Sequence, residues 1–176
     1  MQIDYKWKII VIGDGSVGKT TLMLQYTEKK FKELYIPTVG VQVSIKLVPI
    51  KVGKEKRMIE LTIWDIAGQT KFEHIRKIFY EGASAYLILY DITKRNSFEG
   101  ISYWINDIAW VIGDKYGILI GNKKDLAKYR VVSEEEGKAL AAEYHLDFME
   151  TSAKTGENVN NVFEQITKNL LKLYNI

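Results

Sequence analysis

Short apolar segments alternate with amphipathic stretches along this chain. Residues 8–12, 85–90 and 116–120 are almost continuously apolar, as is typical of strands buried on both faces of a parallel sheet. Apolar residues recur at helical spacing over residues 98–112 and 159–170, which predicts amphipathic helices. Ser133 and Glu136 have the spacing of a capping box, for a helix that runs to about Tyr144. The alternation predicts right-handed crossovers with helices on both faces of a sheet.

One part of the chain has a different period. Residues 41–47 and 59–63 alternate between apolar and polar positions, with a turn-like segment at 51–55 between them. This pattern predicts an antiparallel hairpin attached to the parallel sheet. Pro49 is tolerable only if the first of these two strands lies at a sheet edge. With a further short strand at 147–150, we expect a six-stranded, mostly parallel α/β sheet with one antiparallel edge strand.

The composition excludes several kinds of chemistry. At 176 residues the chain fits one domain, residues 1–176. The chain has no cysteine, which excludes disulfides, thiolate metal sites, a cysteine nucleophile and lipids attached through sulfur. A net charge of +3 with scattered lysines gives no sign of nucleic-acid binding. No apolar run approaches the roughly 20 residues that span a bilayer, so the expected setting is a reducing cytosol.

The strongest chemical signal lies directly after the first apolar segment. Residues 13–20 follow the pattern G-x-x-x-x-G-K-[ST], between a predicted strand and a predicted helix. Such a phosphate-binding loop surrounds phosphates with backbone N–H groups, while Lys19 adds positive charge and the Thr20 hydroxyl can ligate Mg²⁺. The alternative is a plain glycine turn that joins strand to helix. The flanking elements favour a nucleoside triphosphate site.

A second motif ends the hairpin. Asp65 lies at the tip of a strand and can hold Mg²⁺ through a water. Gly68 lets its backbone N–H approach a γ-phosphate, and the Gln69 amide can orient an attacking water. The alternative is an ordinary turn at a strand end, and the phosphate-binding loop upstream favours the metal-linked interpretation.

A third motif concerns the base. Asp125 follows the strand near residues 116–121, and its carboxylate can accept hydrogen bonds from N1–H and the 2-amino group of guanine, which adenine does not offer. A tight turn at residues 151–154 would aim a backbone N–H at the guanine O6. A solvated charged loop is the alternative for the Asp125 segment. Between the first helix and the hairpin, Thr38 supplies a hydroxyl that could complete the Mg²⁺ shell.

With these motifs in this order, the chain resembles a Ras-superfamily small GTPase from about Tyr5 to Leu173. Residues 38–41, 64–72, 79–80 and 90–93 look most like the Rab branch. The resemblance implies a three-layer P-loop NTPase fold with helices on both sheet faces. It also implies a switch that binds Mg²⁺ and GTP, hydrolyses GTP slowly to GDP and phosphate, and signals through loops near 31–43 and 66–82.

The resemblance further implies roles at matching positions. The expected catalytic residues are Gln69, Lys19, Thr38 and Gly68. The expected metal-binding residues are Thr20, Thr38 and, in the outer shell, Asp65. The residues expected to bind the nucleotide are Asp14, Gly15, Ser16, Val17, Gly18, Lys19, Thr20, Thr21, Phe31, Tyr35, Thr38, Gly68, Asn122, Lys123, Asp125, Ser152, Ala153 and Lys154.

Several residues depart from the family pattern. Ile66 stands where the family usually has Thr, and Val43 replaces a customary aromatic in the effector-facing triad of Val43, Trp64 and Phe79. The C-terminal cysteine tail of Rab and Ras proteins is missing, so membrane contact is expected only through a removed tail or a partner. The expected partners are GTP or GDP, effectors, exchange factors and GTPase-activating proteins, with the chain itself a monomer.

Two other functions compete with a hydrolysing switch. One is a nucleotide-gated interaction module with negligible hydrolysis, against which Gln69, Thr38 and Gly15 argue. The other is a P-loop phosphotransferase acting on a small metabolite, which would need an acceptor pocket and an Arg-rich lid. The sequence contains no Arg-rich lid segment, so a hydrolysing switch is the favoured function.

Overall fold

A computed structural model describes residues 2–31 and 38–176. Within them the chain forms six strands and six α-helices. The strands are β1 (Tyr5–Gly13), β2 (Val41–Val52), β3 (Glu55–Ile66), β4 (Ala85–Asp91), β5 (Tyr116–Asn122) and β6 (Asp147–Glu150). The helices are α1 (Lys19–Glu28), α2 (Glu73–Tyr80), α3 (Arg95–Glu99), α4 (Ile101–Ile112), α5 (Glu134–Glu143) and α6 (Val159–Leu173). Short 3₁₀ helices span Thr70–Phe72 and Lys124–Tyr129.

The six strands form one sheet in the order β2-β3-β1-β4-β5-β6. Every neighbouring pair is parallel except β2 and β3, which are antiparallel. The predicted sheet is therefore confirmed, including the edge position of β2. Pro49 lies opposite Met58 in that edge strand, where a missing N–H is tolerated.

Two apolar layers cover the sheet. On one face β1 contributes Ile9 and Val11, which pack with α1 and α6. On the other face Ile10 and Ile12 pack with α2, α4 and α5. Successive strand residues point to opposite faces, so the continuous apolar run in β1 serves both layers. The three-layer architecture predicted from the sequence is confirmed.

Helix starts and faces agree with the sequence pattern in two places. The Ser133 hydroxyl accepts a hydrogen bond from the Glu136 N–H while the Glu136 carboxylate accepts one from the Ser133 N–H, so the predicted capping box forms. The apolar stripe of α6, from Val159 to Leu170, is buried.

Two predicted boundaries differ from the structure. The strands of the hairpin extend to Val52 and from Glu55, which leaves a two-residue turn in place of the predicted segment 51–55. Gly53 begins that turn with φ of 60°, as tight hairpin turns require. The helical pattern over 98–112 is also divided, because Gly100, with ψ of −10°, separates α3 from α4.

Candidate functional site

The carboxyl ends of the parallel strands converge at one edge of the sheet. Gly13 ends β1, Asp91 ends β4 and Asn122 ends β5, and Asp65 lies next to the end of β3. Ligands of open α/β sheets bind at this edge, near the point where strand order reverses. A cleft of about 750 Å³ lies there.

Most of the predicted site residues line this cleft. They are Gly15, Ser16, Gly18, Lys19, Thr20, Thr21, Phe31, Thr38, Gly68, Gln69, Asn122, Lys123, Asp125, Ala153 and Lys154. Four predicted residues are not among the described lining residues but contact residues that are: Asp14, Val17, Asp65 and Ser152. Tyr35 lies outside the residues that the structure describes.

The loop at residues 13–20 has the backbone of an anion-binding nest. Ser16 and Gly18 have φ of 66° and 103°, between β1 and the first turn of α1. Backbone N–H groups in such a conformation point into a common concavity. A Cβ on Gly18 would lie 2.2 Å from the Asn122 amide nitrogen, so glycine is needed there for the loop to meet β5.

Lys19 is held against the loop that precedes it. Its ammonium group donates to the carbonyls of Gly13 and Asp14 at 2.8 and 2.6 Å, and the residue is 6% exposed. Burial lowers the pKa of Lys19 from 10.5 to about 8, against the opposing influence of the Asp65 and Asp14 charges. A phosphate in the cleft would supply the countercharge that this buried ammonium needs.

Three oxygen-bearing side chains meet beside Lys19. The Thr20 and Thr38 hydroxyl oxygens are 2.8 Å apart, and both donate to Oδ2 of Asp65, the Thr38 bond being 3.1 Å long. Oδ1 of Asp65 is buried and has no hydrogen-bond partner among the described residues. Burial raises the pKa of the Asp65 carboxyl, while the Thr20 bond and the Lys19 charge oppose that shift. Hydroxyl and carboxylate oxygens around an unpaired buried carboxylate oxygen fit Mg²⁺.

The segment after β3 lies directly on the phosphate-binding loop. A Cβ on Gly68 would come within 2.3 Å of the Gly13 carbonyl and 2.8 Å of the Gly15 nitrogen. Only a glycine permits this approach. Gln69 follows, before the 3₁₀ turn at Thr70–Phe72, and lines the same end of the cleft.

Asp125 and Asn122 have different environments at the other end. The Asp125 carboxylate accepts a hydrogen bond of 2.6 Å from the Ser152 hydroxyl, which orients it. Both ends of the Asn122 side chain have partners within the protein: its amide nitrogen donates to the Val17 carbonyl at 2.8 Å, and its oxygen accepts from the Ala153 N–H at 3.1 Å. Asn122 therefore ties three loops together, a role that the sequence motif by itself did not indicate.

Lys123 lines the cleft and contacts two neighbouring segments at the strand ends. It has φ of 70°, and its ammonium group donates to the Ser16 carbonyl at 2.8 Å and pairs with the buried Asp91 carboxylate at 2.7 Å. The Lys154 ammonium lies 5.8 Å from the centre of the Phe31 ring. The Lys123 contacts therefore join the ends of β1, β4 and β5, and the Lys154 contact brings the loop at residues 151–154 beside Phe31.

Comparison with known proteins agrees with this geometry. The family model described as the Ras family matches residues 8–172, which is nearly the whole chain. The chain belongs to the Ras family. A rice protein named Ras-related protein RIC1 (Oryza sativa subsp. japonica) is 41% identical over 163 residues, covering 92% of this chain and 79% of that protein.

This Ras-family protein is accordingly a small GTPase, a molecular switch that binds and hydrolyses GTP and uses Mg²⁺. Regulators and effectors act with proteins of this family. Neither comparison distinguishes the Rab branch from the others, so the predicted Rab likeness stays a prediction. None of the helices in residues 2–31 and 38–176 has both the length and the apolar character needed to cross a bilayer.

Some residues of the GTPase cleft were missed by sequence reasoning. Five further residues line it: Leu24, Leu126, Val39, Val41 and Gln42. The last three fall within the predicted signalling loop near 31–43 but had no assigned contact, and no motif marks Leu24 or Leu126. Asp91 pairs with Lys123; its place at the end of an apolar strand was the available signal. Trp104 lies within the helical pattern predicted over residues 98–112; it is buried, and its indole N–H also donates to the Asp14 carboxylate at 2.7 Å.

Proposed function

We propose that residues 1–176 form one guanine-nucleotide switch domain, acting as a monomer, that hydrolyses GTP slowly and signals through segments near 31–43 and 66–82. The observation that carries this proposal is the convergence of Thr38 and Gly68 on the phosphate-binding loop. Thr38 precedes β2 and Gly68 follows β3, so both ends of the hairpin meet the place where a γ-phosphate would lie. Contacts of this kind order two segments together and release them when the phosphate leaves.

The phosphates would be bound by backbone N–H groups of residues 14–20 and by the Lys19 ammonium. The nest conformation at Ser16 and Gly18 and the buried Lys19 support this assignment. Thr20 and Thr38 would hold Mg²⁺ directly, with Asp65 in the outer shell. When bound, this ion neutralises charge that develops on the phosphate oxygens.

The hydrolytic step would begin with a water oriented by the Gln69 side-chain amide. The water oxygen attacks the γ-phosphorus in line with the bond to the β–γ bridging oxygen; that bond breaks, GDP leaves, and the water's protons end on phosphate and solvent. Lys19 and the loop N–H groups stabilise the charge that accumulates on the transferring group. Gly68 supports this arrangement because it lies against the loop and directly precedes Gln69, which lines the cleft.

Hydrolysis without a partner is expected to be slow. The described lining of the cleft contains no arginine to stabilise the transition state. We therefore expect intrinsic turnover on the order of 10⁻⁴ to 10⁻³ s⁻¹, rising about 10⁵-fold when an activating protein supplies an arginine. The base would be recognised by Asp125, with Ser152 fixing its carboxylate, and enclosed by Ala153 and Lys154, which line the same cleft. The Ala153 N–H donates to the Asn122 oxygen in this structure.

The Rab likeness suggests where an effector would bind. Val43 is exposed, and the Trp64 and Phe79 rings lie 6.3 Å apart, with the Lys8 ammonium 3.9 Å from the Trp64 ring. We propose that this apolar surface contacts effectors.

The direct test is single-turnover phosphate release from GTP by the wild type and Gln69→Leu. We expect hydrolysis by Gln69→Leu to fall by at least about tenfold, because general positioning of a reacting group contributes 10²-fold or more. Gln25→Leu is the matched control, since Gln25 lies on α1 outside the described cleft lining. Equal rates in wild type and Gln69→Leu would refute the role of Gln69, and GTP binding without any hydrolysis would instead indicate a nucleotide-gated module.

A further inference from the structure

Trp104 connects helix α4 to the phosphate-binding loop. The residue is 1% exposed, and its indole N–H donates to Oδ1 of Asp14 at 2.7 Å across 90 positions of sequence. A hydrogen bond from a neutral donor to a carboxylate is stronger than one between neutral groups. The Asp14 carboxylate is thereby tied to α4, while the Asp14 carbonyl accepts from Lys19.

The ring of the same tryptophan contacts helix α2. The Arg76 guanidinium carbon lies 4.4 Å from the centre of the Trp104 ring, and Arg76 is 1% exposed. A buried guanidinium needs compensating partners. Arg76 finds them in the Trp104 ring, in the Tyr103 hydroxyl at 2.6 Å and in the Asp107 carboxylate at 3.8 Å.

Helix α2 is fixed to α4 at a second point. The Tyr80 hydroxyl donates to Oδ2 of Asp107 at 2.8 Å, one turn beyond Arg76 on the same helix. Both contacts lie under α2, the helix that follows Gly68 and Gln69. Movement of α2 would therefore change the surroundings of the Trp104 ring.

The Asp14–Gly15 segment is enclosed by the same elements. A Cβ on Gly68 would lie 2.7 Å from the Asp14 carbonyl carbon, and one on Gly100 would lie 3.3 Å from Oδ1 of Asp14. The break between α3 and α4 at Gly100 thus allows α4 to begin directly against this carboxylate. Gly68 and Trp104 hold Asp14 from two directions, and both are connected to α2.

We propose that Trp104 is a positioning residue that joins the phosphate-binding loop to switch helix α2: its N–H holds Asp14 and its ring face holds Arg76. This inference rests on the proposed switch function. The Trp104 contacts keep the Asp14–Gly15 peptide in a fixed position relative to Gly68 and Gln69. A change in the bound nucleotide is therefore accompanied by a movement of α2. Trp104 acts through these residues and does not itself touch the nucleotide.

The test compares GDP release and single-turnover GTP hydrolysis in the wild type, Trp104→Phe, Asp14→Ala and the double variant. Trp104→Phe keeps an aromatic ring for Arg76 but loses the N–H. We expect each single variant to release GDP about tenfold faster, as the loss of a hydrogen bond to a charged group predicts, and to hydrolyse GTP more slowly. Because both remove the same bond, the double variant should differ from either single one by less than about twofold.

A second double-mutant cycle tests the contact between Trp104 and Arg76 of α2. Arg76→Met should slow hydrolysis about threefold, and adding Trp104→Phe should slow it no more than Trp104→Phe does alone, because either change disconnects α2 from the loop. If Trp104→Phe does not fold, the cycle is made with Asp14→Ala and Arg76→Met. The double variant should then hydrolyse GTP no more slowly than Asp14→Ala alone.

Two controls separate positioning from stability. Trp110→Phe changes an exposed tryptophan on the same helix, and Ile108→Val removes a methylene from a fully buried position of α4. Both variants should keep wild-type rates of GDP release and GTP hydrolysis, although Ile108→Val lowers the melting temperature. Wild-type rates in Trp104→Phe or Asp14→Ala, effects that multiply in the double variants, or equal changes in Ile108→Val would each overturn the inference. A wild-type protein that binds no guanine nucleotide would instead refute the proposed function itself.

Discussion

The hydroxyl oxygens of Thr20 and Thr38 lie 2.8 Å apart although 18 positions separate the residues. Thr20 belongs to the first turn of α1, and Thr38 precedes the edge strand β2. Both donate to the same oxygen of Asp65, whose second oxygen has no hydrogen-bond partner in the described part of the chain. A divalent cation at this point would replace hydrogen bonds that now hold the three residues together.

The first prediction concerns the metal. Asp65→Asn keeps the shape of the side chain but removes its charge, so the Mg²⁺ concentration needed to retain GDP should rise about 10- to 100-fold, as for other outer-shell partners of a metal. The measurement is GDP release across a Mg²⁺ series buffered with a chelator. Glu60→Gln, which removes a charge from the same strand, should leave the Mg²⁺ concentration at the midpoint of the series unchanged. An unchanged Mg²⁺ midpoint in Asp65→Asn would contradict the proposed site.

The second prediction concerns the base. Asp125→Ala should abolish the preference for GTP over ATP in competition binding, since a site built to pair with guanine donors can discriminate by up to about 10⁴ to 10⁵. Ser152→Ala, which removes the bond that orients Asp125 together with the bond from the Thr155 N–H, should weaken GTP binding about tenfold and keep the preference. Asp114→Ala, at an exposed position outside the described cleft lining, is the control. Equal affinity of the wild type for GTP and ATP would refute the role of Asp125.

The third prediction concerns Asn122. Asn122→Ala leaves the Val17 carbonyl and the Ala153 N–H without their partner. The free energy of unfolding in urea, at saturating GDP and Mg²⁺, should therefore fall by about 3 kcal/mol, with faster GDP release. Asn161→Ala removes one exposed hydrogen bond, to the Asn158 side chain, among the described residues and should lose much less stability. A similar loss of unfolding free energy in both variants would contradict a specific stabilising role for the Asn122 contacts.

The fourth prediction concerns Gly68. A methyl group there would lie 2.3 Å from the Gly13 carbonyl, so Gly68→Ala must displace the segment that carries Gln69. Hydrolysis should fall roughly 10²-fold, as a displacement of about 1 Å predicts, while GDP affinity stays within about threefold. Gly82→Asn is the control, because no described atom lies within 4 Å of its Cβ position and asparagine tolerates the positive φ of 74°. Normal hydrolysis by Gly68→Ala would contradict the close approach.

Much of this molecule was predictable from local pattern. Apolar runs, alternation and capping residues report the period and ends of an element, so the sheet, its edge strand and the α6 face followed from the sequence. The phosphate-binding loop was also predictable, because its glycines and Lys19 have fixed spacing within one turn between a strand and a helix. Elements with weaker local signals, such as the break at Gly100, were not predicted.

Contacts between distant residues were decided by the tertiary structure. The pairing of Asp91 with Lys123, the bonds of Asn122 to two loops, and the bond from Trp104 to Asp14 join segments far apart in sequence. Nothing in the spacing of a tryptophan on an apolar helix face distinguishes a core residue from one that also orients a loop. Periodicity determined which face of α4 is buried, whereas the packing of α4 between the phosphate-binding loop and α2 determined what Trp104 contacts there.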